Sequence, residues 1–593
     1  MNLSHNWKLH ITFLVVVSSI LIFWNLGSNS LRDLDEALQA QASKEMLVSG
    51  NWLTPHIRNV PYFHKPPLSF WLMGLSFAVF GINEFAVRFF CGVFGIGIVL
   101  LIYVFAAKLF KDKRIALFSS FILVTSSQFL FERGARSGEE DIILIFFATL
   151  ALFFFWLSQE NIRYVYCAGI SLALAILTKG PLALMYVSVF LFFSLFNSGK
   201  RIANTINFLK GVTIGILCSF PWFLLEWVYT KQNFFKIYIA EFFYFFSPAF
   251  IQKQNTLVSF LQRDTIERLN FACPGISDAF YFLNTAKFGF FPWIIVVIFS
   301  IILLFSILFR KKDELGAGLF VLSWIFWPLL ILSSFEFKSF WWLTFVFPAL
   351  AIATAFFLVK MLDGKVNPVA LIALLFIFVF IAPIQYVITR YTSIANLELI
   401  FPKNLKFSLN WALLIFTLFL SLAFFLNFFK VKLIKQVSSL MLRRIGPAVL
   451  VLYLSFISLF NVISLAKAST YKSDLNVITE FIKENYKNHT LLVIDQGLYR
   501  MQYGKLTIEF PTYFANGIID KWSEYFYLNN LDGIVLKFLN SGRGEGLGLL
   551  REKNKSTEKL VLLNKENIQL LRAADLNFVQ ISDCGNYALL SLR

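Results

Sequence analysis

PLSFWLMGLSFAVFGI, residues 67–82, is the stretch on which the topology turns. It is apolar, 16 residues long, and opens at Pro66-Pro67. A transmembrane helix needs about 20 mostly apolar residues, so this segment either crosses the bilayer or lies along its interface. Working outward, apolar runs of crossing type fall at about 10–27, 86–108, 115–131, 141–157, 164–178, 181–196, 208–230, 289–309, 315–333, 339–360, 367–388, 408–429 and 445–467. If 67–82 stays out of that count, the cytoplasmic segments are 1–9, 109–114, 158–163, 197–207, 310–314, 361–366 and 430–444. These hold Lys111, Lys113 and Arg114; Lys200 and Arg201; Arg310, Lys311 and Lys312; and Lys430, Lys432, Lys435, Arg443 and Arg444. Every strongly basic short connection then lies on one side, which is the positive-inside pattern. If 67–82 crosses, the sides swap after it and the bias breaks. The charges therefore predict an interfacial 67–82 and thirteen crossings. The amino terminus is then inside and the carboxyl terminus outside.

Composition agrees with that class. Of 593 residues, 58% are hydrophobic and 15% charged, and the mean hydropathy is +0.68. Soluble domains carry about 25% charged residues, so this chain cannot cover a soluble surface. Disorder, collagen and coiled coil are excluded on the same grounds. The net charge of +18 sits in the short connections, so it marks topology and not a nucleic-acid partner. None of the 5 cysteines forms a CxxC pair, which leaves no zinc or redox motif. Residues 1–30 resemble a signal peptide, but no small-x-small site follows Trp24, so they read as an uncleaved first span.

On the outer side the sequence places a first loop, 28–85, a second, 231–288, and a polar tail, 468–593. The transmembrane domain is thus 1–467. The tail reads as a small mixed α/β domain. LNVITEFIKENYK (475–487) has helical spacing, and TLLVID (490–495) and FVQIS/YALLSL around Cys584-Gly585-Asn586 have strand character.

Candidate chemistry collects on the same side. In LRDLDEALQAQASKEMLVSGNWLTPHIRNVPYFHKPPLSFW, Glu36, Gln39 and Ser43 share one helical face, and Ala37, Ala40 and Leu47 a more apolar one. This predicts an amphipathic surface helix with Asp35-Glu36 at its amino end, where the helix dipole favours carboxylates. Such a pair is also an ordinary N-cap. Asp141 follows Glu139 and Glu140 at the mouth of a span, either as a rim charge or as a group facing protein. Lys65 and Lys179 read either as snorkelling anchors or as cations for an anionic head group. Lys338, Arg263 and Arg268 lie outside as well, with Glu226 near the outer end of its span. Asp33-Leu34-Asp35 is formally a DxD triplet, but there is no glycine-rich phosphate loop. Carboxylates and cations gathered around apolar spans suit a substrate with a charged head and a lipid tail. A phosphate needs cations, and a sugar hydroxyl needs a base.

The run D-E-A-x-x-A, then SxEML-x-SG-x-W-x-x-P, then Y-F-x-KPP, resembles the bacterial aminoarabinose lipid A transferases. These belong with the protein O-mannosyltransferases among the integral-membrane GT-C glycosyltransferases. ARSGEEDIILIFFATLAL, LTKGP, FPWFLLEW, FGFFPW and FKSFWWLTFVFPALAI are similar to further family segments, in family order, and the likeness is good from about 30 to 350. The resemblance implies a GT-C fold with juxtamembrane helices in the first periplasmic loop. It also implies transfer of a sugar from a polyprenyl-phosphate carrier to a lipid or protein acceptor at the periplasmic face of the inner membrane. Asp35 matches the catalytic aspartate, Glu36 its neighbour, Asp141 the second acidic position, and Lys65 the lysine near the donor phosphate. Lys179 and Arg268 are weaker matches for that phosphate. His64 stands where relatives often have glutamate, and Cys273 stands before Pro274-Gly275 where a histidine is common. These positions resemble metal ligands in some relatives, so no metal set is assigned, with His64 left as a candidate ligand and a divalent metal left open.

The resulting expectation is an inverting displacement at the anomeric carbon. Asp35 would orient or deprotonate the acceptor oxygen, Asp141 would hold the acceptor or Asp35, and the lysines would neutralise the departing phosphate. Lipid A is the favoured acceptor and an amino sugar the favoured cargo. A protein O-glycosyltransferase is the alternative. A lipid-carrier flippase is a second one, disfavoured because no internal repeat is present and the polar groups lie at one face and not at mid-membrane.

Overall fold

The computed structural model describes residues 7–28, 31, 33–57, 60–62, 65–131, 133–197, 199–230, 289–310, 312–334, 340–366 and 446–468. It also describes the strand segments between 490 and 592. The helices are α1 (Trp7–Phe23), α2 (Asp33–Ser49), α3 (Leu68–Phe80), α4 (Glu84–Phe110), α5 (Lys113–Val124), α6 (Ser127–Leu130) and α7 (Asp141–Ser158). They continue with α8 (Tyr164–Lys179), α9 (Leu182–Phe196), α10 (Arg201–Thr230), α11 (Ile294–Arg310), α12 (Lys312–Ser334), α13 (Phe347–Leu362) and α14 (Gly446–Ala468). Five helical segments among the described residues are long and apolar enough to cross a membrane: Glu84–Phe110, Asp141–Ser158, Arg201–Thr230, Glu314–Ser333 and Trp341–Leu362. The shorter apolar helices Trp7–Phe23, Tyr164–Lys179, Leu182–Phe196, Val296–Ser306 and Leu450–Ile463 fall on further expected spans, α2 and α3 lie in the first loop, and 367–388 and 408–429 lie outside the described residues.

Helix boundaries follow local chemistry. Asn83 caps α4 by accepting from the Ala86 N–H at 2.9 Å. Asp112 does the same for α5 through Arg114 N at 2.8 Å. Gly180, at φ 64°, ends α8 in a conformation that a side chain resists, and Pro181 then opens α9. The tight α8–α9 turn leaves Lys179 as the last residue of its helix. Two expected spans are broken. The 115–131 run splits at Thr125-Ser126, whose hydroxyls bond back to the carbonyls of Phe121 and Ile122 at 2.7 and 2.8 Å. The 339–360 run begins as a 3-10 turn, Phe340–Val346.

In lipid, helix association rests on close packing and not on apolar transfer. Gly211 and Gly215 of α10 give a GxxxG face against α7 and α8. A Cβ at Gly211 would meet the Phe155 ring at 2.5 Å, and one at Gly215 would meet Leu172 at 2.9 Å. α13 is buried along almost its whole length. Between α4, α9 and α12, Phe105, Trp324, Phe320 and Tyr186 interlock at tilted and edge-to-face angles.

The first loop is compact. α2 packs on α3 and on a short hairpin, β1 (His56–Ile57) with β2 (Val60–Pro61). α3 has 13 residues, about 20 Å at 1.5 Å per residue and short of the ~30 Å hydrocarbon core. The sequence predicts a surface α2 with one apolar stripe; the structure corrects this. Glu36, Ala37, Leu38, Gln39, Ala40, Gln41, Ala42, Ser43, Lys44 and Met46 are all buried. The face that meets Ile57 and Phe70 is Leu38, Ala42 and Met46, not Ala37, Ala40 and Leu47. The polar face turns inward to partners that spacing alone does not reveal.

Beyond α14 the strands form a five-stranded mixed sheet, order β6-β3-β7-β9-β8, from β3 (Thr490–Asp495), β6 (Val535–Asn540), β7 (Lys559–Asn564), β8 (Phe578–Cys584) and β9 (Tyr587–Leu592), with β4 (Tyr499–Tyr503) and β5 (Leu506–Phe510) as a separate antiparallel pair. β3 lies parallel to β6 and β7, while β8 and β9, the two runs expected as strands, pair antiparallel. The expected helix 475–487 lies outside the described residues.

Candidate active site

Six chain segments bring charge to one end of the bundle: the start of α2, the residue before Pro66-Pro67, the first turns of α4 and α7, the loop 131–140, and the last residue of α8. The centre is Glu140, fully buried at the cap of α7. Its Oε2 accepts from Lys65 Nζ at 3.1 Å, and its Oε1 pairs with Lys179 Nζ at 3.0 Å. Gln39 Nε2 of α2 also donates to Oε2. Lys179 reaches Asp141 Oδ1 at 2.6 Å, and Arg133 Nη1 reaches Asp141 Oδ2 at 3.3 Å. Arg133 Nε lies 3.9 Å from Glu139, and its guanidinium lies 4.7 Å above the Trp341 ring. Lys65, Glu140, Lys179, Asp141, Arg133 and Glu139 thus form a chain of alternating sign.

Glu36 is held at one side of this chain. Arg88, in the first turns of α4, donates to both of its oxygens, from Nε at 2.8 Å and Nη2 at 3.0 Å. The Gly138 N–H donates to Oε1 at 2.7 Å. Gly138 has to be glycine for that approach, because a Cβ there would lie 2.4 Å from Val87. Arg136 ties the same loop to α1 through the carbonyls of Leu21, Ile22 and Trp24 at 2.7–2.8 Å. The loop bearing the acidic triplet is therefore anchored to α1, α2 and α4 together.

The electrostatics follow from this arrangement. Burial opposes a charge on Glu140, but Lys179, Lys65 and Arg133 hold its carboxyl well below the usual range. Burial likewise opposes the Lys65 ammonium, yet the neighbouring Glu140 keeps its pKa above the ordinary value. Glu139 is the exception. Its burial outweighs Arg133 and raises it to about 7, although Ser137 Oγ donates to it at 3.1 Å.

Of the residues singled out in the sequence, Lys65, Lys179, Asp141 and Glu36 meet in this network. The backbone of Asp35 lies in the first turn of α2, beside Glu36; its side chain, His64, Arg263, Arg268 and Lys338 lie outside what the structure describes. Among the described residues no three His, Cys, Asp or Glu side chains are grouped to hold a metal ion. Glu226 is separate from the cluster: fully buried in α10, it accepts from Thr54 Oγ1 at 3.0 Å. Gln39, Arg88 and Arg133 are the partners that the sequence reading missed. Arg88, an ionisable group inside an apolar run, carried the signal.

A profile of the dolichyl-phosphate-mannose-protein mannosyltransferase family matches residues 64–225. An uncharacterized protein of Aquifex aeolicus is 29% identical over 366 residues, 61% of this chain and 67% of its own length. The undecaprenyl phosphate-alpha-4-amino-4-deoxy-L-arabinose arabinosyl transferase of Pectobacterium atrosepticum is 28% identical over 353 residues, 58% of this chain and 57% of its own length. The alignment thus spans little more than half of that named relative. The crystal structure of ArnT from Cupriavidus metallidurans bound to undecaprenyl phosphate superimposes with a TM-score of 0.65 at 16% identity, covering 98% of this chain and 97% of that one. The fold is shared over nearly the whole of both chains.

Proposed function

Because the chain belongs with the aminoarabinose lipid A transferases and protein O-mannosyltransferases, a family of polyprenyl-phosphate-sugar-dependent membrane glycosyltransferases, we propose that it moves an amino sugar from a polyprenyl-phosphate carrier to lipid A at the periplasmic face of the inner membrane. One observation carries the reading. In the ion-pair chain the cations are the outer members and the carboxylates the inner ones: the side chains of Lys65, Lys179 and Arg133 are 14%, 19% and 18% exposed, and those of Glu140, Asp141 and Glu139 are 0%, 4% and 7%. A face of cations backed by buried carboxylates presents N–H donors outward to an anion.

Lys65 and Lys179, bridged by Glu140, bind the donor phosphate and stabilise the charge that grows on it as the glycosidic bond breaks. Arg268, outside the described residues, is a further candidate for the same phosphate. Asp35 orients the acceptor oxygen or accepts its proton, and Asp141 fixes both Lys179 and Arg133 through its two oxygens. Glu36 acts as a positioning residue, since Arg88 and Gly138 occupy both its oxygens. In membranes supplied with donor lipid, Asp35→Asn abolishes transfer while protein levels hold; undiminished turnover refutes the assignment.

The name of the matched profile favours a second reading, a protein acceptor. Mass spectrometry of lipid A and of periplasmic proteins, with and without the gene, separates the two. Loss of a sugar from lipid A supports the first, and loss confined to proteins supports the second.

A further inference from the structure

Glu226 is the carboxylate that the ion-pair chain leaves out. It is fully buried in α10, and its Oε2 accepts from Thr54 Oγ1 at 3.0 Å. Its Oε1 has no hydrogen-bond partner among the described residues. Glu36, Glu139, Glu140 and Asp141 each lie against a cation; among the described residues Glu226 lies against none. A buried carboxylate with an idle oxygen is costly, and an ionisable group inside a span usually has a partner or a ligand.

Packing shows what surrounds that oxygen. α8 and α10 run side by side in one direction: Gly169 meets Gly211 and Ile214, Leu172 meets Gly215, and Leu177 meets Trp222. Continued outward by one turn, the same register brings Glu226 within half a turn of Lys179, about 3 Å of rise. Thr54 comes from the side of the other lysine. The Tyr62 N–H donates to the Pro55 carbonyl at 2.8 Å, which joins the residue after Thr54 to the residue three before Lys65. The Trp222 and Trp71 indoles donate to the carbonyls of Leu53 and Trp52 at 3.1 and 2.6 Å, and hold this segment on α10 and α3. Glu226 is therefore flanked by the two segments that end in Lys65 and Lys179.

Charge supplies the rest. A sugar amine is an ammonium at neutral pH. The cations that attract the donor phosphate repel an ammonium on the same molecule, so a carboxylate set apart from them is needed to bind it. Glu226 is set apart, carries no cation of its own among the described residues, and offers an acceptor oxygen for a charged N–H donor.

Resting on the amino-sugar reading above, we propose that Glu226 binds the ammonium of the donor sugar through Oε1 and so selects an amino sugar over a neutral one.

The test uses the full chain purified in detergent, lipid A as acceptor, and two polyprenyl-phosphate donors that carry an amine or a hydroxyl at the same position of the sugar. The native chain has a KM for the amino donor at least tenfold below that for the hydroxyl donor. Glu226→Gln keeps an acceptor for Thr54 and removes the charge. It raises the KM for the amino donor tenfold or more and that for the hydroxyl donor less than twofold, so the preference disappears. If Glu226→Gln does not accumulate, Glu226→Asp decides: it withdraws the charge by one methylene, and the preference falls at least threefold. Equal KM values for the two donors in the native chain, an undiminished preference in the variant, or an equal rise for both donors, as a purely structural acid would give, overturns the inference. A native chain that transfers neither sugar overturns the proposed function itself.

Discussion

Glu140→Gln tests whether one buried carboxylate keeps two lysines charged. The ammonium nitrogens lie at 3.1 and 3.0 Å from the two oxygens of Glu140. That puts them within roughly 8 Å of each other, where two unit charges repel by about 2 kcal/mol at an effective dielectric of about 20. Each also loses an attraction of about 4 kcal/mol at such short range. Asp141 still supports Lys179, so Lys65 suffers most. The repulsion is there with or without the carboxylate, so the lost attraction sets the change, and at about 1.4 kcal/mol per pH unit it lowers the Lys65 pKa by well over one unit. Lys65 is protonated below its raised folded pKa, so the variant loses its charge at a lower pH than the native chain. The expected result is an alkaline limb of the transfer rate that moves down by at least about one pH unit. Unfolding stability should fall by roughly 3–5 kcal/mol, as for a buried pair with one partner removed. The assay is sugar transfer at saturating acceptor from pH 6.5 to 10. Profiles that superimpose after correction for folded protein would refute the idea that Glu140 holds the lysine charge.

Two further expectations follow from the neighbouring groups. Arg88→Met removes the bidentate cation from a charged, buried Glu36 that still accepts from the Gly138 N–H, and should cost roughly 3–5 kcal/mol; adding Glu36→Gln should recover most of it, and a thermal-unfolding cycle without that recovery counts against a structural pair. For Glu139 the folded pKa is raised from 4.5 to about 7, so the folded chain keeps a proton that the unfolded chain has lost. The stabilisation from that proton is fully present below about 4.5 and is lost as pH rises through about 7, roughly 3 kcal/mol in all. Glu139→Gln should flatten this slope in melts at pH 5 and pH 8, and an undiminished slope in the variant assigns it elsewhere.

The bundle was legible wherever an apolar run is bounded by punctuation. Gly180-Pro181 separates α8 from α9 in the sequence as it does in space. It was less legible where polar residues sit inside a run. Thr125 and Ser126 look tolerable in a 17-residue apolar stretch, but their hydroxyls compete for helix carbonyls and end α5. The site divides in the same way. Lys65, Lys179 and Asp141 stood out because each is a charge at the edge of a span. Glu140 did not stand out from its neighbours, because which of three consecutive carboxylates meets the lysines depends on how the loop turns at Gly134 and Gly138. That turn is set by Arg136 on α1 and Glu36 on α2, partners far away in the chain. The α2 helix misled for a related reason: a 3.6-residue pattern shows that two faces differ, not which of them is covered by protein.

The protonation of Glu139 also decides which ligand the cluster favours. Among the described side chains of the network, Lys65, Arg88, Lys179 and Arg133 face Glu36, Glu139, Glu140 and Asp141. If all eight were charged the set would be neutral and would gain little from an anion. With the Glu139 pKa at about 7, much of the population at neutral pH holds that group as the acid, and the set then carries an excess of one cation. Restoring balance in a buried site requires an anion, and a phosphate supplies one where a neutral sugar cannot. Glu139 lies next to Arg133, 3.9 Å from its Nε, so the excess falls on the Arg133 side of Asp141. The same burial that makes Glu139 costly to ionise thus weakens the carboxylate beside Arg133, which Asp141 still pairs at 3.3 Å, while Lys65 and Lys179 stay paired through Glu140.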